Sequence, residues 1–218
     1  MNEEIVREQI IDIGKRMYER RMVAANDGNI SVRISDNEVL CTPTGVSKGF
    51  MNPEMIVKID MQGNVISAHE GYRPSSEVKM HLRVYERRPD IKAVVHAHPT
   101  YATIYAIAEK PLDKPIMTEA VVALDRVPVA PLATPSTKEV PDSIECLVEE
   151  YDALLLSHHG ALTYAPDIMT AYMRMESVEF YAELLYKTRL AELDKEITGE
   201  ALDKLYEVRE KMGFGKRH

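Results

Sequence analysis

Two segments of this chain are almost uninterruptedly apolar and end on histidine: Ile91-Lys-Ala-Val-Val-His-Ala-His98 and Ala153-Leu-Leu-Leu-Ser-His-His159. The second, a continuous aliphatic run, has the pattern of a strand covered on both faces rather than one wetted on alternate residues. Such a strand needs helices above and below it. Pro99 and Gly160, which follow the histidines, are expected to turn the chain into loops.

The rest of the chain supplies those helices. Val6, Ile10, Ile13 and Met17 recur at spacings of three and four, predicting an amphipathic helix over Glu3–Val23 that Asn26-Asp-Gly28 stops. Asn29–Ile34 and Val39–Thr42 flank Ser35–Glu38 as a hairpin, and a second turn at Met61–Asn64 separates Ile56–Asp60 from Val65-Ile66. Ser76 is the expected N-cap of a helix through Val78, Leu82 and Tyr85, which Pro89 ends. Thr100–Glu109 reads as helix, Ala120–Leu132 as two short strands around Asp125-Arg126, and Ser136 or Thr137 as the cap of another helix. Two more helices are expected over 166–189 and 199–212. Hairpins early and helix-separated strands later imply a mixed, largely antiparallel sheet with helices on both faces. No composition shift marks a linker, so 1–218 is read as one domain with a mobile helical tail from about residue 195.

Bulk properties exclude some functions. A formal net charge of −8 gives no electrostatic reason to seek nucleic acid or an anionic membrane. The charged start of the chain and the lack of any long apolar run predict a protein that is neither secreted nor membrane-bound, hence cytoplasmic. Cys41 and Cys146, far apart and outside any CxxC pair, are expected to be small buried residues in a reducing compartment.

His96 and His98 share one face of their strand, about 6–7 Å apart along it, within reach of one tetrahedral ion. A bare pair of this kind is as readily two satisfied core or surface histidines. A second histidine motif closing another buried strand weighs towards a metal site, to which one of His158 and His159 contributes. Three imidazoles leave a coordination position open, as catalytic zinc requires. His69, His81 and His218 lack such context and are expected at the surface. Pro74-Ser-Ser-Glu77 opens a helix, where Glu77 is either an ordinary cap or a base facing the metal above an anion pocket. Gly28-Asn29 and Thr42-Pro-Thr-Gly45 are turns by default, and both also offer the NH and polar groups that hold a phosphate without a lysine loop.

Taken in order, Gly28-Asn-Ile-Ser31, Thr42-Pro-Thr-Gly45, Pro74-Ser-Ser-Glu77, His96-Ala-His-Pro99 and His158-His-Gly160 resemble the class II aldolase and adducin-head family over residues 4–189. The resemblance implies a three-layer α/β/α sandwich and a homotetramer with active sites between subunits. It implies His96, His98 and His159 as zinc ligands, with manganese or cobalt as possible substitutes, and Glu77 as an acid/base that also touches the metal. Gly28, Asn29, Thr44, Gly45, Ser75 and Ser76 would hold the phosphate of a small sugar. The activity implied is reversible cleavage of a ketose 1-phosphate to dihydroxyacetone phosphate and an aldehyde, with the metal as Lewis acid in place of a Schiff-base lysine. The family pattern has a tyrosine where this chain reads Ile116-Met-Thr-Glu119, which leaves Tyr206 and Glu119 as candidates for handling the C4 hydroxyl proton. Three other readings belong beside it: a sugar-phosphate 4-epimerase, which typically has aspartate where this chain has Glu77; a dehydratase of a methylthioribulose 1-phosphate type of substrate, whose glutamate would lie near Glu119; and a non-catalytic adducin-like module, which has no need for metal ligands.

Overall fold

The structure, a computed structural model, describes residues 2–214. Eight strands form one sheet in the order β4-β3-β2-β1-β5-β8-β7-β6. These are β1 (Asn29–Arg33), β2 (Val39–Cys41), β3 (Val57–Ile59), β4 (Val65–Ser67), β5 (Ala93–Ala97), β6 (Val129–Ala130), β7 (Ala153–Leu156) and β8 (Gly160–Ala165). Every neighbouring pair is antiparallel except β6 with β7. At one margin β4 has all three residues exposed, and its register with β3 shifts between Lys58 and Ile59.

Helices cover both faces, as the buried strands demand. One core joins α1 (Glu3–Glu19), α3 (Thr100–Ile107), α4 (Thr118–Ala123) and α6 (Ile168–Leu190) to residues such as Ile30, Val95 and Ala161. The other joins α2 (Val78–Arg87) and α5 (Glu139–Ile144) to Val94, Leu154 and Leu162. Val94 and Val95 thus enter opposite cores, which is the alternation expected of a strand buried on both sides. The last helix, α7 (Glu200–Lys211), lies outside α4: Tyr206 donates to Asp125 at 2.8 Å and Arg209 to the Val122 carbonyl at 2.7 Å. Through residue 214 the tail is therefore in contact with the domain. Among the described residues no helix is long and apolar enough to cross a membrane.

Several local expectations are corrected. The first helix stops at Glu19, ahead of Asn26-Asp-Gly28, because Arg21 already takes a left-handed φ of 58°. The expected strand at Ala120–Leu124 is α4: its valines suggested extension, but Ala120, Val121 and Leu124 are buried at helical spacing. Gly160 opens β8 instead of a loop, so His158 and His159 sit in the hairpin turn between β7 and β8. Ser76 does not cap α2; Glu77 occupies that position. Before α5 the formal cap is Lys138, although the Thr137 hydroxyl accepts from Glu139 N at 3.1 Å. Cys41 is buried as expected, whereas Cys146 lies exposed just beyond α5. His69 is exposed, but His81 is buried, because it shares the inward face of α2 with Val78, Leu82 and Tyr85. His218 lies outside the described residues.

Lys48 is a second buried polar residue the sequence did not flag. It opens a short 3-10 turn, Lys48–Phe50, against which α1 packs at Gly14: a side chain there would meet the Lys48 carbonyl at 2.9 Å. The Lys48 ammonium donates to the carbonyls of Asn26 (3.0 Å) and Val46 (2.6 Å), tying two loops together. Burial holds its pKa down to about 8, against the favourable pull of Asp27. Between that value and the ordinary lysine value the unfolded chain binds more protons than the folded one, so this group makes stability rise with pH. Urea midpoints of wild type and Lys48→Met are accordingly expected to diverge as pH goes from 8 upwards, wild type gaining on the order of 2 kcal/mol relative to the variant. Parallel pH profiles would show that Lys48 is not titrating in a buried setting.

Candidate active site

Strand β5 is the base on which the site is built. Its His96 is fully buried and lies opposite Asn29 of β1 on one side and Leu162 of β8 on the other. The Ala161 carbonyl, which can only accept, lies 2.9 Å from His96 Nδ1. That bond puts the ring proton on Nδ1 and leaves the Nε2 lone pair facing the site. His98, two residues on, brings its Nε2 to 3.0 Å from His96 Nε2, and its Nδ1 lies 3.4 Å from an Asp27 carboxylate oxygen. His159 completes the set from the β7–β8 turn, with the three ring centroids 4.7–4.9 Å apart. His158 faces solvent, held in a left-handed conformation with φ 53°. The turn, rather than strand alternation, separates the two neighbours.

Close backbone approach makes this convergence possible. A side chain on Gly160 would meet the Ala97 carbonyl at 2.4 Å and His98 Cδ2 at 2.7 Å, while one on Gly28 would meet the His96 carbonyl at 2.9 Å. Gly28 therefore lets its loop, and Gly160 the start of β8, lie directly against β5. Only Gly28, at φ 72°, also needs glycine's backbone freedom.

Glu77 closes the remaining side. Although it is the cap residue of α2, its side chain makes no capping hydrogen bond. Instead Oε2 accepts from Asn29 Nδ2 at 3.1 Å and lies 3.4 Å from His96 Nε2, and Oε1 lies 3.3 Å from His159 Nε2. A tetrahedral ion with bonds of about 2.0–2.1 Å places its donors about 3.3 Å apart. The separations of Glu77 from His96 and from His159 match that edge, and the three histidine donor atoms all lie within 4.8 Å of one another. Burial first, and then the neighbouring histidines, holds His96 well below the ordinary imidazole range; burial and His159 lower His98. Neutral imidazoles with converging lone pairs suit a divalent cation, so the residues present fit the metal that the sequence suggested.

A cleft of about 190 Å³ opens over this cluster, lined by Asn26, Asp27, Gly28, Asn29, Pro43, Thr44, Gly45, Ser75, Ser76, Glu77, His98 and His159. All six residues singled out for phosphate are among them. Their loops are fastened to each other: Thr44 N donates to the Arg73 carbonyl at 2.9 Å and Ser75 N to the Thr42 carbonyl at 3.2 Å. Ser75 Oγ accepts from Asn29 Nδ2 at 3.3 Å, and Ser76 Oγ from Ser136 at 3.0 Å. A larger cavity of about 480 Å³ lies elsewhere, around Arg88, Asp152, Arg174 and Arg209, and contains none of the histidines. Size is outweighed there by chemistry, since Arg88 and Arg174 are already paired with Asp152. Glu119 and Tyr206 line neither the cleft nor that cavity within one chain. Sequence reasoning missed Asp27 and Lys48 and took Gly160 only for a loop former; the adjacency of Asp27 to Gly28-Asn29 and of Gly160 to His159 offered the signals.

Residues 8–186 match the model of the class II aldolase and adducin N-terminal domain. The chain belongs to that family. An L-fuculose phosphate aldolase from Methanococcus maripaludis is 33% identical over 178 residues, covering 82% of this chain and 94% of the relative. A 3-oxo-tetronate 4-phosphate decarboxylase from Haemophilus influenzae is 32% identical over 185 residues, covering 83% of this chain and 86% of the relative. Among solved structures, an L-fuculose 1-phosphate aldolase superposes with a TM-score of 0.85 at 32% identity, covering 95% of both chains. Membership supports a metal-dependent lyase acting on a phosphorylated sugar, and the three-histidine cluster is where this family member could hold its ion.

The purified protein is expected to carry about one divalent ion per chain, lost in His96→Ala or His98→Ala. Gly160→Ala keeps all ligands yet forces β8 away from His98, so its metal affinity should fall at least about tenfold in chelator competition, with a stability loss of about 1–3 kcal/mol. Unchanged affinity in Gly160→Ala would mean that the turn does not set the position of His98.

Proposed function

We propose that this protein is a zinc-dependent aldolase that cleaves a ketose 1-phosphate resembling L-fuculose 1-phosphate into dihydroxyacetone phosphate and a small aldehyde. The observation that carries the reading is the placement of Glu77, unused as a helix cap, against both His96 and His159 at the floor of a cleft lined by small polar groups. When bound by His96, His98 and His159, the cation supplies Lewis-acid stabilisation of the negative charge that builds up as the carbon–carbon bond breaks.

The chain's own residues do the rest. The backbone around Gly28 and Gly45 and the hydroxyls of Thr44, Ser75 and Ser76 hold the phosphate, and Asn29 orients Glu77 through its amide. A base takes the C4 hydroxyl proton, C4 becomes the aldehyde carbon as its bond to C3 breaks, and the electron pair stays with C3. Glu77 then delivers a proton to C3, and in the reverse direction removes it. The residue that handles the C4 proton would come from a neighbouring copy in a homotetramer, with Tyr206 and Glu119 as candidates. Exposed apolar side chains along α6, among them Met173, Phe180 and Leu190, support association of copies.

The decarboxylase relatives favour a second reading. Loss of carbon dioxide from a 3-oxo-tetronate 4-phosphate also leaves an electron pair beside a carbonyl, and protonation there again yields dihydroxyacetone phosphate. Release of that product alone cannot separate the two activities. The deciding experiment incubates the metal-loaded protein with ketose 1-phosphates and with a 3-oxo-tetronate 4-phosphate, scoring the aldehyde against carbon dioxide. Carbon dioxide without aldehyde would replace the aldolase reading by the decarboxylase one.

Two variants test the residue roles. Glu77→Gln should slow exchange of the dihydroxyacetone phosphate carbon-bound proton into deuterated water by roughly 100-fold or more while metal stays bound, because an amide has no usable basicity. Wild-type exchange in that variant would move suspicion to Glu119. For the phosphate, Asn29 is already committed to Ser75 and Glu77, so Thr44→Val is the cleaner change. It should raise KM roughly tenfold with kcat little altered, and an unchanged KM would displace the phosphate from this end of the cleft.

A further inference from the structure

Strand β1 alternates polar and apolar residues, Asn29-Ile-Ser-Val-Arg33, yet all five are buried. Ile30 and Val32 enter the core beneath α1 and α6. The polar face, which ordinary patterning would turn to water, lies against α2 instead. Asn29 donates to Glu77 at 3.1 Å; Ser31 Oγ lies 2.8 Å from His81 Nδ1 and 2.7 Å from the Tyr85 hydroxyl. Arg33 donates to the Tyr85 carbonyl at 3.4 Å, stacks over the Tyr85 ring and reaches the carbonyls of Pro89 and Ile91 at the helix end. Every second residue of the strand thus meets every fourth residue of the helix. The match is metric: two strand residues advance about 6.6 Å and four helix residues about 6.0 Å.

We infer that this polar seam is a register device that fixes α2 along β1, and that Ser31, His81 and Tyr85 are positioning residues for Glu77. Apolar packing is non-directional and would tolerate sliding of the helix, whereas each hydrogen bond of the seam is satisfied at one offset only. The seam also carries a cost that packing alone does not explain. His81 Nε2, Arg33 Nε and Asn29 Oδ1 are buried without a partner among the described residues. Because β1 pairs with β5 through Asn29 and His96, fixing α2 to β1 fixes the Glu77 carboxylate relative to the histidine nitrogens. Burial pushes the His81 pKa down to about 3, so this imidazole stays neutral in its bond to Ser31.

The inference rests on the reading of Glu77 as proton carrier, and its test separates the two. Metal-loaded Ser31→Ala, Tyr85→Phe and His81→Leu are assayed for proton exchange of dihydroxyacetone phosphate, and metal-free crystals of each are compared with wild type. Roughly tenfold lower kcat is expected, with KM within about twofold and full metal content. The crystals should show the Glu77 carboxylate displaced from His96 by about 1 Å or more. His81→Asn, which keeps a nitrogen near the place of Nδ1, should recover most of the rate. Wild-type kcat with Glu77 unmoved overturns the inference, as does a lowered kcat with Glu77 unmoved. Should Ser31→Ala or His81→Leu not fold, Tyr85→Phe, which removes one oxygen and keeps the ring, decides by the same readings. If wild type exchanges no proton, the functional reading fails and the crystals alone judge the seam.

Discussion

The backbone hydrogen bonding of β5 on both of its edges is the constraint from which the site follows. Asn29 of β1 and Leu162 of β8 flank His96, and the Ala161 carbonyl fixes which nitrogen of that ring carries its proton. With β5 immobilised between two strands and between two cores, His96 and His98 have no freedom beyond their own side-chain torsions. The loops that bring Gly28 and Gly160 onto the same strand add Asn29 and His159 at short range. Burial then keeps His96 and His98 neutral, which is the state that binds a cation.

Most of the architecture was legible because its signals are periodic. The aliphatic run at 153–156 announced a strand buried on both faces, and the three-and-four spacing along α1 announced its inward stripe. Failures occurred where a residue's environment comes from a distant segment. Val121 and Val122 look like strand until Ala120 and Leu124 are seen to share a buried helical face. His81 looked like a surface residue because nothing near it in sequence reveals that Ser31 lies opposite. Lys48 is a similar case, its partners being carbonyls of residues 26 and 46, and a carbonyl leaves no trace in composition.

The convergence of the three histidines and the residues of the cleft were legible for a different reason. His96-Ala-His98 needs only strand geometry to be understood, and the five motifs in order carry the family. What those motifs could not specify is the reaction's leaving fragment. Relatives of this chain include an aldolase and a decarboxylase at nearly equal identity. Both chemistries leave an electron pair next to a carbonyl on a phosphorylated fragment, so one arrangement of histidines, carboxylate and small polar groups serves either.

The margins of the sheet bear on which surfaces this protein offers to its surroundings. At one end β4 is three residues long and wholly exposed, and the register shift against β3 interrupts the row of backbone groups that a foreign strand would need to follow. At the other end β6 has only two residues. Short, irregular margins of this kind resist the edge-on strand addition that leads to fibrous aggregation. A sheet with such margins leaves the helical and loop surfaces, rather than its edges, as the ground on which another molecule can settle.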